Sequence, residues 1–581
     1  MTETKASSPS LARHGAIMAA GSLVSRITGF LRNVVMGAAL GGLVLGNSYT
    51  TAQYFPQMIY EMLMGGILTS VVVPLIVKAR NRDADAGVAY TQRLLTLAVT
   101  FLALATACIV AAAPLLTRLA AEDNHELVTR LSYFMLPAIF FYGLCALLQA
   151  VLNTRDHFAV PMWAPILNNI VIIVVGVVFF VLYTSSADEA TRDSIISGNV
   201  TTAMVLVLGL GTLAGIVTQS LALWPALRKV GFTWKWRWDF RALGLGEIGR
   251  LGAWILLYVG MNQIAMVVLI RLANYAAANG TDGVLTPGPI HYNNAYLIMM
   301  MAHGIIAVSI ITALMPRLSQ AATEGRLGDV AAGLSQGTRL STLALMPITV
   351  CYVVLGTPLA VLLFDWGNFD FASASATGLI IAVAGITLIP FAISQLQTFA
   401  FYAMTDTKTV ALINIPVVVV RVVGCLLVVA FLPAEHVVAG LMGALGLSFV
   451  LTVVLSTYYL RRRVGLLGMR EISWTWIRQL IAGAVAGAVA YGAMQMLPDA
   501  SAGKLTLVGV LAVAGLLIFG VYFVVAYLLK TPRSVTSPRW CGPSSADDRT
   551  GTTGNIRHRT PSNRPASLVM EANSTIRASR S

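Results

Sequence analysis

Apolar runs of roughly twenty residues recur along this chain, separated by short polar connections. A run of that length, folded as an α-helix, spans the ~30 Å hydrocarbon core of a bilayer. The pattern predicts transmembrane helices at 15–40, 47–77, 90–117, 128–154, 158–184, 199–227, 248–273, 290–316, 340–364, 372–404, 408–432, 436–460, 474–497 and 504–529. Residues 1–14 are polar. The run after them continues through two arginines with no small-residue site closing a short core, so no cleavable signal peptide is read there. After Lys530 the periodicity stops. The last 51 residues are rich in Ser, Thr, Pro and Arg and carry eight arginines and no lysine. Segment 531–581 is therefore predicted to be a disordered cytosolic tail, too short for a second enzyme domain of ordinary size.

The basic residues test this helix count. With the N-terminus in the cytoplasm, the connections that fall inside hold 22 Lys and Arg, and those outside hold four: Arg118, Arg130, Arg192 and Lys504. Such asymmetry is the positive-inside pattern, and one missed helix would scramble every later connection. The outer connections carry acids instead, including Glu122, Asp123, Glu126, Asp188, Glu189 and Asp193. Composition agrees. Apolar residues make up 57% of the 581 and charged residues 11%, with mean hydropathy +0.76. That charged fraction is about half of what a water-soluble surface uses. The expected fold class is an all-α polytopic membrane protein with both termini cytoplasmic. The net charge of +14 then reflects topology and contact with anionic membrane lipids rather than nucleic-acid binding.

The longest basic connection, 228–250, divides the spans into six and eight. It interleaves Trp234, Trp236 and Trp238 with Lys235 and Arg237, a composition suited to the headgroup region. An internal echo points to a repeat. The second and eighth spans both end in proline followed by a base (Pro74 and Lys78; Pro316 and Arg317), and the fourth and tenth run into short Asp-containing turns at Asp156 and Asp406. Two six-helix lobes, 15–227 and 248–460, joined by the linker 228–247 and followed by two further helices within 461–530, produce this pattern.

Few ionisable groups lie inside the spans: Arg26, Arg32, Glu61, Arg271, His303 and Arg421. A charge at the bilayer centre costs at least ~2.5–3.5 kcal/mol on insertion scales, so each requires a partner or a hydrated cavity. Arg26 and Arg32 share a helix in which Gly21, Ser25 and Gly29 recur every fourth residue, a face that lets a neighbouring helix come close. The arginines differ in direction by about 120° and in height by about 9 Å. A bend at Gly29 is expected to let them converge on one multivalent anion, for which guanidinium forks are suited. The alternative is that both snorkel or pair structurally, for instance with Glu61. Glu61 itself reads as an internal partner for an arginine or as a proton-linked group. His303 reads as a satisfied structural histidine or as a substrate or proton site. Arg271 is near enough to the outer end of its helix to snorkel, whereas Arg421 sits mid-helix among valines.

No paired-carboxylate cleft, metal-ligand cluster, Walker loop or Ser/His/Asp set is recognisable, and no cofactor is implied. The chain is not expected to be an enzyme or to carry its own ATPase. Cys108, Cys145, Cys351 and Cys425 lie in apolar runs without metal spacing and read as packing residues; Cys541 lies in the tail.

The segment Ser25-Arg26-x-x-Gly29-Phe30-x-Arg32 resembles the opening motif of the MurJ/MviN family of lipid II flippases. Further matches are Leu152-Asn153-Thr154-Arg155-Asp156-His157-Phe158-Ala159-Val160-Pro161 with Asn168 after it, Leu314-Met315-Pro316-Arg317-Leu318-Ser319, and Phe401-Tyr402-Ala403-Met404-Thr405-Asp406-Thr407-Lys408. The resemblance spans about residues 15–530. It implies the two-lobe fold of the multidrug/oligosaccharidyl-lipid/polysaccharide exporter superfamily. It also implies alternating access that carries lipid II, an undecaprenyl-pyrophosphate-linked precursor, from the cytoplasmic to the outer leaflet for peptidoglycan synthesis. Arg26 and Arg32 match arginines that the family places in a central cavity for the pyrophosphate.

The chain departs from the family's pattern in places. A common aspartate becomes Asn47, an arginine becomes Tyr60, a glutamate becomes Gly65, and the cavity arginine of the eighth helix falls near Leu297. Some members hold sodium with carboxylates on the seventh and eleventh helices. Here no acid lies between Glu247 and Asp282 or between Asp406 and Glu435, so no metal site of that design is expected. The candidate substrate-binding set is Arg26, Arg32, Ser25, Glu61, Asn47, His303, Arg421 and Arg271. Two other readings stand beside a flippase: an exporter of polysaccharide-lipid intermediates or drugs, and a non-transporting scaffold with cell-wall synthesis proteins as partners. Relatives of the first kind typically have twelve helices.

Overall fold

The computed structural model describes the chain except residues 1–7, 63–72, 84, 86, 156, 241–244, 281–283, 497–502 and 530–581. The described residues form an all-helical membrane protein, and the exceptions to helix are turns, extended connections and one isolated bridge, Trp366 to Phe369. Among the described residues, twelve helices are long and apolar enough to cross a bilayer, or thirteen counting one bent pair. Of the remaining span expected, 47–77, the structure describes helix up to Met62 and again from Val73, and residues 63–72 lie outside the described residues.

The first eleven helices precede the tryptophan-rich connection. They are α1 (Ser8–Leu40), α2 (Val44–Met62), α3 (Val73–Arg82), α4 (Val88–Ala111), α5 (Ala113–Ala120), α6 (His125–Met135), α7 (Ala138–Asn153), α8 (Ala159–Phe179), α9 (Glu189–Ile196), α10 (Thr202–Ala222) and α11 (Trp224–Lys229). Those after it are α12 (Leu245–Ala278), α13 (Pro289–Ala302), α14 (Val308–Thr323), α15 (Leu327–Phe364), α16 (Phe371–Ala403), α17 (Thr407–Phe431) and α18 (Ala434–Val464), then α19 (Met469–Met494) and α20 (Lys504–Leu528). The end of the bundle bearing the Lys- and Arg-rich connections is called the basic end, and the opposite end the acidic end.

Prolines account for breaks the apolar pattern could not show. The single span read at 128–154 is α6 and α7 meeting at 41° across Leu136 and Pro137. The span read at 90–117 breaks at Ala112, and Pro114 starts the next helix. A proline removes an N–H donor and crowds the preceding turn. Short π-helical turns at Phe180–Thr184 and His303–Ala307 interrupt two other spans.

Each helix group has its own buried interior. In the first, Leu131, Met135, Leu136, Phe179 and Leu208 pack between α2, α6, α8 and α10. In the second, Leu345, Phe364, Ile381, Leu388 and Met442 pack between α13, α15, α16 and α18. Outward faces stay apolar, with Phe431, Leu505 and Leu516 largely exposed, as lipid contact requires. Helices α19 and α20 lie against α15, with Ala482, Ala486 and Ala490 spaced every fourth residue under Met346 and Val350. Small residues at that spacing let helix backbones approach. At the start of α20, Lys504 Nζ pairs with Asp365 Oδ2 at 2.7 Å and donates to the carbonyls of Asp365 and Val361.

The tryptophan-rich connection runs extended along α4. Gln92 Nε2 donates to the Thr233 carbonyl (2.6 Å), Arg237 Nε donates to Gln92 Oε1 (2.8 Å), and Arg93 pairs with Asp239. The Arg93 hydrogen bond holds the Asp239 carboxyl below the usual carboxylate range. Trp236 and Trp238 stack and stay exposed.

Candidate substrate site between the helix groups

Helix α1 positions the site because it packs on both groups. Its small face turns to α8: Gly21 lies under the Trp163 indole, where a Cβ would come within 2.7 Å of Nε1. Further along, Asn169 Nδ2 donates to the Ser25 carbonyl (3.2 Å) and to Thr28 Oγ1 (3.1 Å) beside Gly29. The face about 100–120° away carries Arg26, Phe30 and Gly37, and it meets the second group. Phe30 packs on Phe364 with ring centroids 6.1 Å apart.

The two arginines therefore lie against different walls. Arg32 donates to Asn169 Oδ1 (3.4 Å) and to Asn33 Oδ1 (3.3 Å), within electrostatic reach of buried Tyr49 and Tyr142. Arg26 reaches across to the second group and lies against Gly304, in the π-helical turn between α13 and α14. Helix α1 is uninterrupted from Ser8 to Leu40. The convergence expected from a bend at Gly29 is not what the side chains adopt here. Neither arginine pairs with a carboxylate among the described residues.

Glu61 is exposed. It accepts from Gln57 Nε2 (3.4 Å) and faces Gln263 of α12, with no cation beside it among the described residues. The expected pairing of Glu61 with an arginine is thus replaced by neutral amides. His303 opens the π-helical turn, buried, with its ring 4.3 Å from that of Phe391 and Arg26 within electrostatic reach. Its Nδ1 has no hydrogen-bond partner. Arg26, His303 and Gly304 form one cluster across the two groups.

The other candidates lie elsewhere. Asn47 Oδ1 accepts from the backbone N–H of Ile290 (3.2 Å) at the start of α13, satisfying an end-of-helix donor from across the interface. Arg271 pairs with Glu122 (2.7 Å) and donates to the Leu119 carbonyl. Asn274 donates to Thr51 Oγ1 and the Ala120 carbonyl, and Asn368 donates to the carbonyls of Ala38 and Ala39. Together these contacts close the acidic end; among the described residues, hydrogen bonds joining the groups come from that half. Arg421 lines a separate polar cavity inside the second group.

Asn169, the hub between Ser25, Thr28 and Arg32, carries no signal in the sequence that would select it. His291 is another such residue: it is buried near the α1–α2 turn and accepts from Gly288 N through Nδ1. Only the spacing of Gly21, Ser25 and Gly29 hinted that a partner helix would supply groups there.

The description "Lipid II flippase MurJ" fits residues 36–511 of this chain. The chain belongs to the lipid II flippase MurJ family. A MurJ-family relative from Burkholderia cenocepacia, described as lipid II flippase MurJ, is 25% identical over 464 residues, covering 79% of this chain and 84% of its own. A probable lipid II flippase MurJ from Rhizobium tropici is 25% identical over 520 residues, covering 87% and 92%. Among solved structures, a lipid II flippase MurJ in an inward closed conformation superimposes with TM-score 0.67 at 16% identity, covering 89% of this chain and 99% of that one. An inward-facing multidrug resistance MATE family transporter gives TM-score 0.59 and covers 76% of this chain. Both likenesses establish the fold.

Proposed function

We propose that this protein carries lipid II from the cytoplasmic to the outer leaflet of the cytoplasmic membrane by alternating access, with Arg26 and Arg32 holding the pyrophosphate. The observation that carries the reading is Arg26: a guanidinium between the two helix groups, facing Gly304, with no carboxylate paired to it among the described residues. A half-buried cation of that kind within the span calls for an anionic ligand, and arginine forks match phosphate oxygens. Family membership supplies the identity of the substrate. Both termini lie in the cytoplasm under the positive-inside rule, so closure at the acidic end is closure to the outside. The units are a first lobe over 15–227, the linker 228–247, a second lobe over 248–460, two added helices within 461–530 and a tail over 531–581.

Substrate enters from the basic end, where Arg26, Arg32 and His303 meet it, and the contacts of Asn47, Arg271, Asn274 and Asn368 break when the outer end opens. The deciding experiment measures lipid II binding and complementation of a flippase-depleted strain by R26A and R32A at matched abundance. Loss of a charge-assisted contact worth roughly 1.5–3 kcal/mol lowers affinity about ten- to a hundredfold. Normal binding and growth in both variants would refute the assignment of these arginines.

A further inference from the structure

Arg421 sits near the middle of α17, ten residues from its nearer end. At 1.5 Å per residue that is about 15 Å from the membrane surface, beyond the reach of a snorkelling side chain. Its contacts are neutral: Nε donates to Ser448 Oγ (3.1 Å), Nη1 donates to Asn262 Oδ1 (3.2 Å), and the guanidinium lies 5.7 Å from the centre of the Phe449 ring. The surrounding helices offer no counter-charge. α12 from Arg250 onward, α13, α14, α16 and α17 contain no Asp or Glu, and α18 has only Glu435 in its first turn. The titratable groups within reach are Tyr258, Tyr292, Tyr296 and Cys425.

The guanidinium also opens on space. With Tyr258, Asn262, Asn414, Thr398 and Ser456 it lines a small cavity of about 40 Å³, room for an ion of about the size of a water molecule. A guanidinium carries five N–H donors, and two are engaged, which leaves three for a ligand. A fixed positive charge without a carboxylate repels cations and attracts anions in a medium of low dielectric constant.

We propose that Arg421 and this cavity form a binding site for a small monovalent inorganic anion such as chloride, distinct from the site between the helix groups. The anion neutralises Arg421 within the second group. Its affinity rests on Arg421 and is independent of Arg26.

The test is chloride binding to purified full-length protein in detergent, followed by chloride NMR line broadening, with gluconate as the non-binding control. Wild type and R26A are expected to show a saturable component. R421Q should lose it by about ten- to a hundredfold in affinity, and R421K should retain a weakened one. Absence of a saturable component in wild type, or equal broadening in R421Q, overturns the proposal. Inorganic pyrophosphate separates the two anion sources. Chloride broadening that persists under pyrophosphate supports a distinct site, whereas displacement dependent on Arg421 would show a diphosphate site and overturn it. If R421Q proves aggregated, the wild-type titration and R421K still decide.

Discussion

The guanidinium of Arg26 on α1 lies so close to Gly304, in the π-helical turn between α13 and α14, that no Cβ fits beside it. One residue thus shapes the seat of a charge that belongs to the other helix group. A π-helical turn widens the helix locally and often marks a functional position.

Gly304→Ala should therefore push the Arg26 side chain aside without unfolding the protein, because the end of a long side chain can move. Lipid II binding is expected to fall roughly tenfold, about 1.4 kcal/mol, at unchanged membrane abundance. Since both changes act on one contact, G304A combined with R26A should bind no worse than R26A alone. Additive losses would show that Gly304 serves something else.

Gly21 has a structural role that can be separated from the ligand. Its contact with Trp163 Nε1 leaves 2.7 Å for a Cβ, so Gly21→Leu should overpack the α1–α8 seam and destabilise the protein by about 1–3 kcal/mol. Lower abundance and an earlier thermal transition are the expected readouts, with Trp163→Ala as a partial rescue. Gly492→Ala on α19, where nothing lies within 4 Å, should leave both unchanged.

Topology can be checked by single cysteines. An impermeant thiol reagent added from outside should label positions Asn124 and Ser186, whose connections are acidic, and spare Arg82 and Gly328. Labelling at Arg82 in intact cells would reverse the orientation.

Lys504 is one of the four basic residues at the acidic end, where it pairs with Asp365. Lys504→Met should loosen α20 from α15 and cost about 1 kcal/mol, since the pair is partly exposed. A double-mutant cycle with Asp365→Asn, read by thermal unfolding, should show a coupling of that size. Strict additivity would mean that the pair contributes nothing.

The apolar runs and the sidedness of the basic residues were enough to determine an all-helical membrane protein and to place most spans within a few residues, because bilayer thickness fixes helix length and charge fixes orientation. The six intramembrane ionisable residues were legible for the same reason: a charge in hydrocarbon demands an explanation wherever it stands. Their partners were not. The sequence allowed Arg26 and Arg32 to converge or to neutralise Glu61, and only packing set Arg32 on Asn169, Arg26 on Gly304 and Glu61 beside Gln57 and Gln263. The sequence set Arg271 near a helix end and Arg421 mid-helix among valines, but named a partner for neither. Tertiary structure gave Arg421 a small cavity lined by neutral polar groups and Arg271 an ion pair with Glu122 at the rim. Periodicity along one helix reports which face is buried, but Asn169 and Gly304, which meet Arg32 and Arg26, lie more than a hundred positions away in the chain, and those distances exist only once the helices have packed.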